Sequence, residues 1–216
     1  MTVPVIKLIY NEHPVLFSSD YQVNIHVMHL IDKAFRPEAQ SDLLKPLNGK
    51  RQFSQLVVQQ MLSAYLNISP DNLMIFTTQE GKHFLSPVVG SLQFNYSHSG
   101  DYLVLAVSSQ LELGIDIEKI HDFPMLKNVL KRTSVETHTY FEENYDNHYQ
   151  YVDSFFRYWT TNEALQKCVG LLMPDTFYPY SEILFEDGLV RYHGHELWYK
   201  RLELPEHYMM TVVVKF

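Results

Sequence analysis

Apolar positions along the chain follow two kinds of spacing, and the change between them marks out its elements. Short runs rich in β-branched and aromatic residues predict strands at Val3 to Tyr10, Val23 to Leu30, Leu73 to Thr77 and Tyr102 to Val107. A His13-Pro14 loop separates the first two, and Asp32 to Leu44 reads as a short helix ended by Pro46 and the Asn48-Gly49 turn. From Arg51 the spacing lengthens. Phe53, Leu56, Val57, Gln60, Met61 and Ala64 recur at the helical period as far as Leu66, and Asn67 to Pro70 stops the helix. Glu80-Gly81-Lys82 predicts a turn.

The middle of the chain is organised by Phe94 to Lys119. Phe94 to Tyr96 leads as a strand into Ser97-His98-Ser99-Gly100-Asp101, a cluster of turn formers. Gly114 to Glu118 is a further strand. Beyond it, Pro124 to Arg132 predicts a short helix, and Thr133-Ser134-Val135-Glu136 has the form of a capping box opening a helix from Ser134 to Tyr145. Tyr151 to Val169 is the second long helix, ended by Gly170. Ser181 to Phe185 and Leu189 to His193 flank Glu186-Asp187-Gly188 as a hairpin, followed by strands at Trp198 to Leu202 and Met209 to Lys215. Each half runs strands, long helix, strands, with no residue-level repeat. The boundary between two such lobes falls near Ser108 to Glu112.

Composition narrows the partners more than the fold. The 216 residues suffice for a buried core, and 46% hydrophobic with 19% charged content describes a globular chain. A net charge of -8 argues against general nucleic-acid binding, so an anionic ligand must meet a local basic site or a metal. No apolar run is long enough to cross a bilayer, and Lys7 breaks the N-terminal run, against a signal peptide. The single cysteine, Cys168, fits a reducing compartment, and a cytoplasmic location is expected.

Candidate chemistry begins with Asp116 and Glu118. Residues two apart in a strand share a face, so their carboxylates stand side by side and need a cation or a proton. In the second long helix, Val152, Phe156 and Trp159 form an apolar stripe that Glu163 and Lys167 continue. These two charges are either an exposed pair one turn apart or inward groups that need partners. Three carboxylates without nearby cysteine or histidine suit a hard cation such as Mg²⁺. His26 and His29 fall on opposite faces of their strand and read as structural.

The stretches FNYSHSGDYLVLAV, GIDIEK and WTTNEALQK, in that order, resemble the motif set of the 4′-phosphopantetheinyl transferases, in particular the long, surfactin-synthetase-activating type. The resemblance covers roughly residues 50 to 172. It implies an α+β fold built as a pseudo-two-fold pair of similar lobes, residues 1–110 and 111–216, with the active site in the cleft between them. It further implies transfer of the 4′-phosphopantetheine arm from coenzyme A to a serine of an acyl, peptidyl or polyketide carrier protein, releasing adenosine 3′,5′-bisphosphate. The enzyme is then expected to be a cytoplasmic monomer acting on neither nucleic acid nor membrane.

Carried over by motif, Asp116, Glu118 and Glu163 bind Mg²⁺. Ser97 and His98 contact coenzyme A phosphates, Arg51 lies toward the 3′-phosphate, and Lys82 and Lys167 neutralise the pyrophosphate. Glu163 is the first candidate base and Glu136 the second, although the capping box explains Glu136 without catalysis. His98 has a plain reading as a turn residue. Asn162 stands where the family motif has lysine, and can still donate a hydrogen bond to phosphate but brings no charge. That departure supplies the alternative: a weak or degenerate relative that binds coenzyme A or a carrier protein without efficient transfer.

Overall fold

The computed structural model describes residues 5–10, 21–30, 49–88, 90–122, 126–131, 133–171 and 187–216, with side chains of the first long helix described from Phe53 onward. Strands β1 (Val5–Tyr10), β2 (Gln22–His29), β5 (Gln93–Ser99) and β6 (Tyr102–Ser108) form one sheet in the order β1-β2-β6-β5. Strands β7 (Glu112–Lys119), β8 (Gly188–Tyr192), β9 (His195–Leu204) and β10 (Tyr208–Lys215) form a second, in the order β7-β10-β9-β8. A separate hairpin joins β3 (Ile75–Thr77) to β4 (His83–Leu85) around Gly81. Helix α1 (Gly49–Leu66) lies in the first half; α2 (Leu126–Leu130), α3 (Val135–Asn144) and α4 (His148–Val169) lie in the second. The protein is α+β, as the sequence predicts.

Strand alternation builds the layers. In β6, Leu103, Leu105 and Val107 face α1, where they meet Val57, Val58 and Leu62. Val104 and Ala106, on the opposite face, pack with Ile115, Ile117, Met210, Val212 and Val214 of the second sheet. Met209, Val213, Leu197 and Tyr199 turn outward from the second sheet onto α4. The order of layers is therefore helix, sheet, sheet, helix. Burying each such aliphatic side chain contributes about 1.5–3 kcal/mol, so the shared core between the sheets dominates what holds the halves together.

The two sheets share a connectivity that residue identities do not reveal. In each, the strand preceding the long helix pairs antiparallel with the last strand, which pairs antiparallel with the one before it: β2-β6-β5 and β7-β10-β9. The outer strands differ, since β1 runs parallel to β2 whereas β8 runs antiparallel to β9.

Several local expectations change. The buried face of α1 is Ser54, Val57, Val58, Met61 and Leu62, with Gln60 and Ala64 exposed. Ser63, buried beside that face, is satisfied by donating to the Gln59 carbonyl. Ser97 to Ser99 are not turn residues: β5 continues to the Ser99–Tyr102 pair, and the turn is Gly100-Asp101 alone. Ladder pairing with apolar β6 outweighs the local turn preference of serine. Ser134 is the N-cap of α3, accepting from the Thr137 backbone N–H at 3.1 Å, so Glu136 is the second helical residue rather than the third, which a capping box uses. β8 pairs with β9 through His193-Gly194, both at positive φ. The expected strand at 181–185, the helix at 32–44 and the His13-Pro14 loop lie outside the described residues. His26 is structural as expected, fully buried with Nε2 2.7 Å from the Tyr65 hydroxyl.

Candidate active site

Two edge strands from different sheets, β5 and β7, meet where the site forms. Along β5, Phe94, Tyr96 and His98 alternate with Asn95, Ser97 and Ser99, and the second set faces β7. Asn95 Oδ1 accepts from the Ile115 backbone N–H at 3.0 Å. The Ser97 hydroxyl donates to Asp116 Oδ1 at 2.8 Å, and the Ser99 hydroxyl donates to Glu118 Oε2 at 2.7 Å. Side chains, rather than a backbone ladder, join the two edges. Asp116 and Glu118 do share a face of β7, as strand geometry requires.

Gly114 sets the distance of α4 from the same face. A Cβ there would stand 2.2 Å from the Ala164 carbonyl oxygen and 2.4 Å from the Cys168 nitrogen. Only glycine allows the helix backbone to lie this close. Asn147 caps the helix by accepting from Tyr149 and Gln150, and Gly170 ends it in the left-handed region. Thr160 and Thr161 anchor the middle, bonding to the Phe156 and Arg157 carbonyls and to Thr211 of β10. Glu163 and Lys167 are thereby carried over β7, on the continuation of the apolar stripe.

A cavity of about 400 Å³ opens at this junction. Lys82 and His83 line it from the β3-β4 hairpin, Ser97 and His98 from β5, Asp116 and Glu118 from β7, and Trp159, Glu163 and Lys167 from α4. Seven of the site residues expected from sequence thus converge: Lys82, Ser97, His98, Asp116, Glu118, Glu163 and Lys167. Both lysines have intramolecular partners. Lys167 Nζ lies 2.6 Å from Asp116 Oδ1 and 3.2 Å from Ser97 Oγ. Lys82 Nζ donates to the Cys168 carbonyl at 2.6 Å, near the negative end of α4, and lies 3.5 Å from Glu112.

Charge in the cavity is unbalanced toward carboxylates. Burial pushes the Glu163 carboxyl up to about 7, with Asp116 and then Glu118 adding repulsion against the attraction of Lys167. Glu118 is also raised, by burial first and by Asp116 second, while the bond from Ser99 opposes the shift. Burial acts to lower Lys167, but its carboxylate neighbours raise it further. Asp116 is 3% exposed, and its Oδ2 is buried with no hydrogen-bond partner. An orphaned carboxylate oxygen among further carboxylates is chemistry that suits a hard divalent cation. Lys167 supplies the positive charge at Asp116 in this arrangement, and among the described residues no three carboxylate, histidine or cysteine side chains are grouped to hold a metal.

Two expected site residues, Asn162 and Glu136, are not gathered into the cavity. The Asn162 side chain is fully buried and donates to the Tyr158 carbonyl at 3.0 Å, which corrects the expectation that it reaches phosphate. Glu136 is exposed on the first turn of α3, outside the cavity lining. The Arg51 side chain lies outside the described residues. Sequence reasoning missed Asn95, Ser99 and Gly114 as builders of the site. The period-two alternation of Asn95, Ser97 and Ser99 was the available signal for the first two. No described helix is long and apolar enough to cross a membrane.

Residues 38–110 match the family described as "4′-phosphopantetheinyl transferase, N-terminal". The L-aminoadipate-semialdehyde dehydrogenase-phosphopantetheinyl transferase of Rattus norvegicus is 28% identical over 126 residues, covering 54% of this chain and 41% of that protein. The 4′-phosphopantetheinyl transferase gsp of Aneurinibacillus migulanus is 26% identical over 153 residues, 69% of this chain and 62% of its own length. The 4′-phosphopantetheinyl transferase of Bacillus subtilis is 30% identical over 149 residues, 67% and 64% respectively. The chain spans less than half the length of the mammalian relatives it matches.

Proposed function

The chain belongs to the 4′-phosphopantetheinyl transferase superfamily, and from that premise we propose that it transfers the 4′-phosphopantetheine arm of coenzyme A to a carrier-protein serine. The supporting observation is the convergence in one cavity of Lys82, Ser97 and His98 from the first half with Asp116, Glu118, Glu163 and Lys167 from the second. Its volume, about 400 Å³, lies within the range of small-molecule sites. The same reading divides the chain into lobes at residues 110 and 111, with the cleft between them.

Asp116, Glu118 and Glu163 would hold Mg²⁺ once their side chains, not grouped in this structure, close on the ion: their donors are all oxygen and Asp116 Oδ2 lacks a partner. When bound, the ion neutralises charge on the pyrophosphate and on the leaving phosphate. Lys82 and Lys167 flank the cavity and add positive charge beside the pyrophosphate, while His98 lines it from the end of β5. The incoming serine oxygen forms a bond to the phosphorus nearer the pantetheine. The bond from that phosphorus to adenosine 3′,5′-bisphosphate breaks. Glu163, at the same junction, is the candidate to accept the serine proton. Such a reaction depends on positioning and charge neutralisation more than on covalent catalysis.

Incubation with coenzyme A, Mg²⁺ and a panel of apo carrier proteins tests the reading by mass spectrometry. One carrier should gain the mass of the arm, and Asp116→Asn should abolish the gain while leaving a folded protein. Failure to modify every carrier, with coenzyme A binding shown by calorimetry, would remove the transfer activity. The burial of Asn162 favours a second reading, a weak relative that binds without efficient transfer, because no motif lysine adds charge there. A large gain in rate from near zero in Asn162→Lys supports that reading, and little change supports an adapted enzyme.

A further inference from the structure

Ser99 makes two hydrogen bonds, and together they fix the direction of its hydroxyl. Its oxygen accepts from the Lys119 backbone N–H at 3.1 Å, and its proton goes to Glu118 Oε2 at 2.7 Å. Ser97 repeats the arrangement two residues earlier, accepting from Lys167 Nζ and donating to Asp116 Oδ1. Asp116 is short and almost fully buried, so packing alone restricts it. Glu118 is longer, partly exposed and one residue from the end of β7, and a free glutamate there would sample several rotamers.

We infer that Ser99 is a positioning residue that holds Glu118 with Oε1 available to a divalent cation. Ser99 sits on β5 and its target on β7, so the hydroxyl reaches a carboxylate of the other sheet. Oε2 takes the serine proton, and no hydrogen bond from the described residues reaches Oε1. Hydroxyls that orient a ligating carboxylate commonly change metal affinity by about 10–100-fold when removed. The inference rests on the metal role proposed for Glu118.

Mn²⁺ binding in the absence of coenzyme A tests it, followed by electron paramagnetic resonance of the free ion, with thermal melts as a control. Ser99→Ala should weaken Mn²⁺ binding by about 10-fold or more while melting close to the parent protein without metal. Ser99→Thr, which keeps the hydroxyl, should restore most of the affinity. A purely structural role would instead lower the melting temperature and leave the affinity of the folded protein unchanged. Parent-like binding by Ser99→Ala would overturn the inference and leave the metal site standing. No Mn²⁺ binding by the parent protein would overturn both.

Discussion

The two long helices cover equivalent faces of their sheets, yet only one carries the site. α1 contacts its sheet through one stripe of Val57, Val58, Met61 and Leu62, and its opposite side is exposed at Gln55, Gln60 and Ala64. α4 is buried nearly all round from Thr160 to Cys168, because β7 lies close beneath it and the first half adjoins it through Ser97 and Lys82. Where a helix has a water-facing side, its charges can stay solvated. Where little of it is open, Lys167 pairs with Asp116 of β7 and Ser97 of β5, and burial raises the Glu163 carboxyl. Enclosure on several sides turns an ordinary helical charge pair into a site.

Placing a methyl group at Gly114 should break this contrast most severely. Gly114→Ala forces backbone against backbone, with an expected loss of ~3 kcal/mol or more, measurable by urea unfolding, and impaired Mn²⁺ binding in whatever remains folded. Leu62→Ala tests the other helix. It should cost about 2–5 kcal/mol for the lost burial and residual cavity, yet leave Mn²⁺ affinity of the folded protein unchanged. A large change in affinity would show that α1 also shapes the site.

The pH dependence is subtler. Because the Glu163 carboxyl is raised to about 7 from 4.5, the folded protein keeps a proton that the unfolded chain has lost between those values. Stability contributed by this group therefore falls as pH rises from about 4.5 to 7. In chelator-treated protein, Glu163→Gln should flatten that part of the urea-midpoint profile, and an unchanged slope would refute the assignment. Glu136→Gln stands last. An exposed residue on the first turn of α3 should shift stability by within ~0.5 kcal/mol, and any collapse of transfer in that variant would bring Glu136 back as a base.

How far the sequence could be read follows from the range of each signal. The alternation in GIDIEK correctly placed Asp116 beside Glu118, and the stripe ending at Trp159 correctly continued to Glu163 and Lys167. Both are statements within one element. Ser99 was hidden because its neighbours favour a turn, while the extension of β5 depends on β6 as its partner. Gly114 looked like an ordinary strand glycine, since its reason is the backbone of a helix some fifty positions later. Asn162 failed in the other direction. Motif position put it beside Glu163, but one residue is about 100° of helix, and that rotation carries it into the packed face. The lone histidines needed only local pattern, whereas the α+β class was implied by the motif resemblance.

Cys168 closes the contact beneath Gly114 and offers a way to watch it. Its thiol is fully buried, pushed up to about 12 by burial, and turned toward the Glu112 carbonyl at 3.9 Å. It is also the sole cysteine of the chain. An alkylating reagent can reach that sulfur only when the end of α4 lifts from β7. The rate of labelling in native buffer is therefore a clock for the opening of this one seam, wound into the protein without any added probe.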